Sequence, residues 1–92
     1  MEYSYPLSLD WDTEEIITVI NFYEVIERAY ESGAKREEII NAYQGFKNVI
    51  PSKAEEKAIL KEFEAVSSYS SYHVVKEAKS AANDGIIKGT LK

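Results

Sequence analysis

The sequence predicts an all-α domain: a compact array of four short helices with an extended N-terminal strap. Apolar residues recur at helical spacing through most of the chain. Two Asp/Ser-x-x-Glu words, Asp12 to Glu15 and Ser52 to Glu55, mark helix starts. Gly33, Pro51 and Asn83-Asp84-Gly85 mark the stops. With 45% hydrophobic and 29% charged residues, a chain of 92 can close one core, so residues 1–92 read as a single domain.

Residues 1–11 alternate, with Tyr3, Tyr5, Leu7, Leu9 and Trp11 on one parity and polar residues or Pro6 on the other. That period is extended chain with one apolar edge, expected to lie over the helices as a strap. The first helix starts after Asp12 and runs to about Ser32. Ile16, Val19, Ile20, Tyr23, Ile26 and Tyr30 form its stripe, and Phe22, Val25 and Ala29 widen it past half the circumference. Such a helix is either central or shares a face with another subunit.

The second helix spans about Arg36 to Ile50, with Ile39, Tyr43, Phe46 and Ile50 as its core row. Gly45 inside it costs about 1 kcal/mol relative to alanine and permits a close helix approach. Pro51 ends it, because the residue before proline disfavours the α region. The third helix follows the Ser52 cap to about Val66, burying Ile59, Leu60, Phe63 and Val66. Ser67-Ser68-Tyr69-Ser70 is a polar connection whose hydroxyls favour caps. The fourth helix covers about Ser71 to Ala82, with Val74, Val75, Ala78, Ala81 and Ala82 inward. Residues 83–92 read as a frayed tail.

Charge and composition exclude several functions. No cysteine is present, so disulfides and thiolate chemistry are out. No basic leader with an apolar run follows Met1, and no apolar stretch is long enough to span a membrane. A net charge of −5 argues against nucleic acid as the partner. The charge is also polarised: residues 1–34 sum to −7 and residues 35–92 to +2.

The candidate chemistry is sparse. His73 is the only histidine, and it projects away from the fourth helix's apolar stripe. Asp10-Trp11-Asp12-Thr13-Glu14 resembles half a calcium loop, but Glu15 stands where glycine is needed and Asn21 where the bidentate glutamate is needed. No metal, cofactor or catalytic set is assigned. Glu56 falls inside the third helix's apolar stripe, where desolvation would raise its pKa. Lys53, Lys57 and Lys61 repeat at i, i+4, a mildly unfavourable spacing whose default reading is a solvated face; Glu24, Glu27 and Glu31 of the first helix or an external anionic partner are the candidates for an acidic face opposite. Tyr69 and Tyr72 have no place on a core stripe, and such aromatics are enriched at protein interfaces.

Several words recur as a set: Met1-Glu2-Tyr3-Ser4-Tyr5-Pro6-Leu7, Leu9-Asp10-Trp11, Ile20-Asn21-Phe22-Tyr23, Pro51-Ser52-Lys53-Ala54-Glu55-Glu56-Lys57, and Ser70-Ser71-Tyr72 with Val74-Val75-Lys76. Together they resemble uncharacterised family 0223 of the UPF series, small proteins of low-GC Gram-positive bacteria. The resemblance implies a bacterial cytoplasmic protein with a small helical fold, and it carries no activity, substrate or cofactor. The chain departs from the family pattern at Ser68, where glycine is expected, and at His73, where arginine is expected.

The sequence thus favours a non-catalytic protein-interaction module, binding a protein partner or itself as a homodimer. Its candidate surface is Phe22, Val25, Ala29, Lys53, Glu56, Lys57, Lys61, Tyr69 and Tyr72. The alternative is a small enzyme or ligand-binding protein centred on Glu56 and the 67–73 connection. Neither nucleic acid nor membrane is an expected partner.

Overall fold

The computed structural model describes residues 4–80 and 85–89. Among them are four helices, α1 (Thr13–Glu31), α2 (Arg36–Val49), α3 (Lys53–Ser67) and α4 (Ser71–Ser80), and two short strands, β1 (Ala34–Lys35) and β2 (Ile86–Ile87). The chain is mainly α, as its periodicity predicts.

The caps explain the boundaries. Asp12 Oδ1 accepts from the Glu15 amide at 2.8 Å, and Glu15 Oε1 accepts from the Asp12 amide at 3.0 Å, so both halves of the capping box form. The amides of Ser32 and Gly33 both donate to Arg28 O, and Gly33 turns the chain with φ of +97°. A Cβ there would lie 2.6 Å from Ile86 Cγ2, so glycine suits both the conformation and the space. Ser52 accepts from the Glu55 amide at the head of α3. Ser70 Oγ accepts from the His73 amide and caps α4.

α1 is the central helix. Val19, Phe22, Tyr23, Val25, Ile26 and Ala29 are all buried. α2 packs closest against it, and a Cβ on Gly45 would come within 3.0 Å of Thr18 Cγ2, which is the close approach the glycine suggested. The aromatic core stacks: Phe22 on Phe46 and Tyr23 on Phe63, each at 4.5 Å between ring centroids. Such pairs add about 0.5–1.5 kcal/mol each beyond their buried area. Phe22, Val25 and Ala29 are therefore core residues and not an interaction surface. The wide stripe is covered by the chain's own α2 and α4, which corrects the reading of a face shared with a second subunit.

The strap is real but shorter than its alternation. Tyr5 stacks on Tyr23 at 5.2 Å and donates to Glu27 Oε1 at 2.6 Å. Tyr23 in turn donates to Pro6 O at 2.9 Å, and the Tyr5–Pro6 peptide is trans. The parity then breaks. A turn at Leu9–Asp10, closed by the Trp11 amide to Ser8 O, leaves Leu9 fully exposed and Leu7 largely so. The chain must turn there to place the Asp12 cap, and that requirement overrides the apolar edge. Tyr3 lies outside the described residues.

Two further expectations change. Val66 is 41% exposed while Ser67 is buried, because Ser67 Oγ donates to Phe63 O and accepts from the Tyr69 amide, turning the helix end inward. The expected frayed tail is docked over residues 85–89: β2 pairs antiparallel with β1, Ile87 is buried, and the Gly89 amide donates to Ala29 O. A Cβ on Gly89 would lie 2.5 Å from the Tyr30 ring, so the backbone itself seats against that tyrosine. Arg36 holds the same end, its amide donating to Gly85 O and its Nε to Ala78 O. Ala81, Ala82 and the Asn83-Asp84 stop lie outside the described residues, as do residues 90–92.

Candidate functional site

Residues of α3 and α4, with Tyr43 of α2, line a groove of about 560 Å³. One wall is the α3 row Lys53, Lys57 and Lys61, with Glu64 at its end. The other wall is Tyr72 and Lys79 of α4. Leu60 and Tyr43 lie between the walls. A second hollow of about 210 Å³ shares this floor and adds Val75, Lys76 and Ser80. Five lysines and two glutamates thus line a depression in a protein whose net charge is −5. Tyr72 is 69% exposed, a large apolar ring open to solvent.

The lysines have unequal partners. Among the described residues Lys53, Lys57 and Lys61 make no ion pair, and the acids of α1 do not face them. Glu27 is occupied by Tyr5 on the opposite flank. Of the two counter-charges the sequence suggested for the lysine row, the intramolecular one is therefore absent. Lys79 Nζ sits 4.8 Å over the Tyr43 ring, and Lys76 Nζ 5.9 Å over the Tyr72 ring. Ser71, at the first turn of α4, also lines the groove. Its Oγ is buried and has no hydrogen-bond partner among the described residues.

Glu56 sits at the groove's edge and is mostly buried. Lys47 Nζ donates to Oε1 at 2.7 Å, and Tyr43 Oη donates to Oε2 at 2.6 Å. Burial pushes the carboxyl's pKa up, but the hydrogen bonds from Lys47 and Tyr43, with the charges of Lys47 and Lys79, outweigh it and hold the pKa below the ordinary carboxylate value. This corrects the expected raised pKa: desolvation is present, and the partners win. The same contact pushes the Tyr43 phenol up, first through burial and then through the carboxylate beside it. Glu56 is thus an ionised brace between α2 and α3, and both its oxygens are used inside the chain.

Tyr69, the other unassigned tyrosine, is not in the groove. It stacks on Tyr30 at 4.6 Å on the α1 side, where burial and the nearby Glu31 and Glu27 raise its pKa. Tyr30 Oη accepts from the Ser70 amide and donates to Ser70 O, tying the 67–73 connection to α1. His73 is exposed and lines neither hollow. The structure therefore gathers Lys53, Glu56, Lys57, Lys61 and Tyr72 and separates them from Tyr69. The sequence reading missed Tyr43, Lys47 and Lys79. Tyr43 and Lys47 stand at i, i+4 on one face of α2, which was the available signal.

Fold and groove together define a small, mainly helical domain with a basic, apolar-floored cleft. No described helix is long and apolar enough to cross a membrane. The chain belongs to the uncharacterised protein family UPF0223, which it matches over residues 2–87. It is 57% identical over 88 residues to a UPF0223 protein of Lysinibacillus sphaericus, covering 96% of this chain and 93% of the relative. It is 52% identical over 88 residues to one of Bacillus cytotoxicus (96% and 99% covered) and 50% identical over 86 residues to one of Oceanobacillus iheyensis (94% and 98% covered).

Proposed function

We propose that this protein is a non-catalytic binding module of the bacterial cytoplasm that takes a protein partner in the groove between α3 and α4. The observation that carries this is the row Lys53, Lys57 and Lys61, which makes no ion pair among the described residues, beside the exposed ring of Tyr72 and the half-buried Leu60. Solvated lysines are ordinary and single exposed rings are ordinary. An exposed aromatic ring beside an apolar residue in a concavity favours docking, and the lysine row gives that surface a charge that complements an acidic partner. The absence of cysteine fits a reducing compartment.

The enzyme alternative has less support. A carboxylate held ionised by Lys47 and Tyr43 is a poor proton donor, and its oxygens already have internal partners. Two hydroxyls of the connection, those of Ser67 and Ser70, are used as backbone caps.

Affinity capture tests the reading. Immobilised wild type and a Lys57→Glu/Lys61→Glu variant are compared in lysate of Lysinibacillus sphaericus, with Glu14→Lys as a surface control. The reading predicts a protein retained by the wild type and the control and lost from the groove variant. Identical capture by all three would remove the groove as the docking surface.

A further inference from the structure

We infer that the occupant of the groove is an acidic amphipathic helix of the partner protein, laid along α3. The inference rests on the docking reading above and names the chemistry of what docks. The lysine row supplies the first argument. Lys53, Lys57 and Lys61 repeat once per turn, so they span about 12 Å along the α3 axis at roughly 1.5 Å per residue. A partner helix running beside α3 presents side chains at the same pitch. Three acids at i, i+4 and i+8 on that helix meet the three lysines in register, each within the last reach of a flexible side chain. No described acid of this chain does so.

The floor supplies the second argument. Leu60 and Val75 are aliphatic, and they sit inside the row of charges. A helix with acids on one flank and aliphatic side chains on the next face satisfies both features at once, in the helix-in-groove mode of recognition.

The same details disfavour other polyanions. Single-stranded nucleic acid binds by stacking bases on open aromatic faces along a basic track. Here Tyr43 already carries Lys79 over its ring, which leaves Tyr72 as a single open face in the groove and no run of rings for successive bases. A flat anionic bilayer reaches the lysine rim but not the half-buried floor between the helices.

The test uses the whole chain and a defined probe. The probe is a fluorescein-labelled 18-residue helical peptide with glutamates at i, i+4 and i+8 beside a leucine stripe; its reference peptide carries glutamine at those positions. Anisotropy gives the affinity, and amide chemical shifts give the place. The expected result is binding of the glutamate peptide with shifts at Lys57, Leu60, Tyr72 and Lys79, weakened at least tenfold by glutamine replacement and at least tenfold by Lys57→Glu/Lys61→Glu. Equal binding of the glutamine peptide, shifts elsewhere, or no binding of either peptide overturns the inference. So does tighter binding of oligouridylate or phosphatidylglycerol vesicles to the same residues. If lysate capture yields a groove-dependent partner and these peptides fail, the docking reading stands and the acidic helix falls.

Discussion

α3 has one closed flank and one open flank, and the contrast separates what holds this protein together from what it offers to others. On the closed flank Phe63 is fully buried, stacked on Tyr23 and overlaid by Tyr5 of the strap. Each of those tyrosines has its hydroxyl satisfied, Tyr5 by Glu27 and Tyr23 by Pro6 O. On the open flank Leu60 is only half-buried, Tyr72 stands in solvent, and three lysines lack partners among the described residues. One helix thus carries a finished polar and apolar surface on one side and an unfinished one on the other.

The largest expected effect breaks the closed flank. Phe63→Ala is expected to destabilise by about 3–5 kcal/mol, through lost burial and the cavity left behind. Leu60→Ala is expected to cost only about 1 kcal/mol, since much of that side chain is never removed from water. Denaturant unfolding of the two variants measures the ratio directly. Similar losses would mean that the flanks do not differ as described.

The next effect sharpens the boundary between the flanks, which is Glu56. Its folded pKa is lowered, so its contribution is present above the ordinary value of 4.5 and is lost as pH falls through the folded value. Glu56→Gln is expected to cost about 1–2 kcal/mol at pH 7 by leaving Lys47 unpaired, and to flatten the loss of stability between neutral and acid pH. Tyr5, Tyr23 and Tyr43 act at the other extreme. Burial raises all three phenols above the ordinary 10.0, so their contribution is intact below that pH and is lost as pH climbs further. Tyr23→Phe is expected to lose about 1 kcal/mol with its Pro6 hydrogen bond and to shift the onset of alkaline unfolding. Thermal melts across pH check both signs.

The smallest effect lies just past the end of α3. Ser68 adopts φ of +70°, the left-handed region, in order to turn the chain between Ser67 and Tyr69. Ser68→Gly relieves that conformation and is expected to stabilise by about 1 kcal/mol. That left-handed angle is the physical reason a glycine would be favoured at position 68.

Local chemistry was legible in the sequence. The Asp12–Glu15 box, Gly33 and Pro51 each act within a few residues, so the breaks around α1 and α2 fall where those words place them. Tertiary coverage was not legible. Helical periodicity assigned Phe22, Val25, Leu60, Phe63 and Val66 to apolar faces alike, and it carries no record of what packs over each. The pairing of Ala34–Lys35 with Ile86–Ile87 was missed for the same reason, since two-residue strands far apart in sequence leave no period to detect. The groove was half legible: Lys53, Glu56, Lys57, Lys61 and Tyr72 were singled out, while Tyr43 and Lys79 come from other helices and meet them only in the fold.

Whether the open flank is a docking surface can be read in the cell by photocrosslinking. A benzoylphenylalanine replaces Tyr72 in the groove or, as reference, Ile17, which is 61% exposed on α1. A discrete crosslinked protein is expected from position 72, lost with Lys57→Glu/Lys61→Glu and absent from position 17. Crosslinks from position 17 alone, or a product from position 72 that the lysine reversals leave untouched, would contradict it.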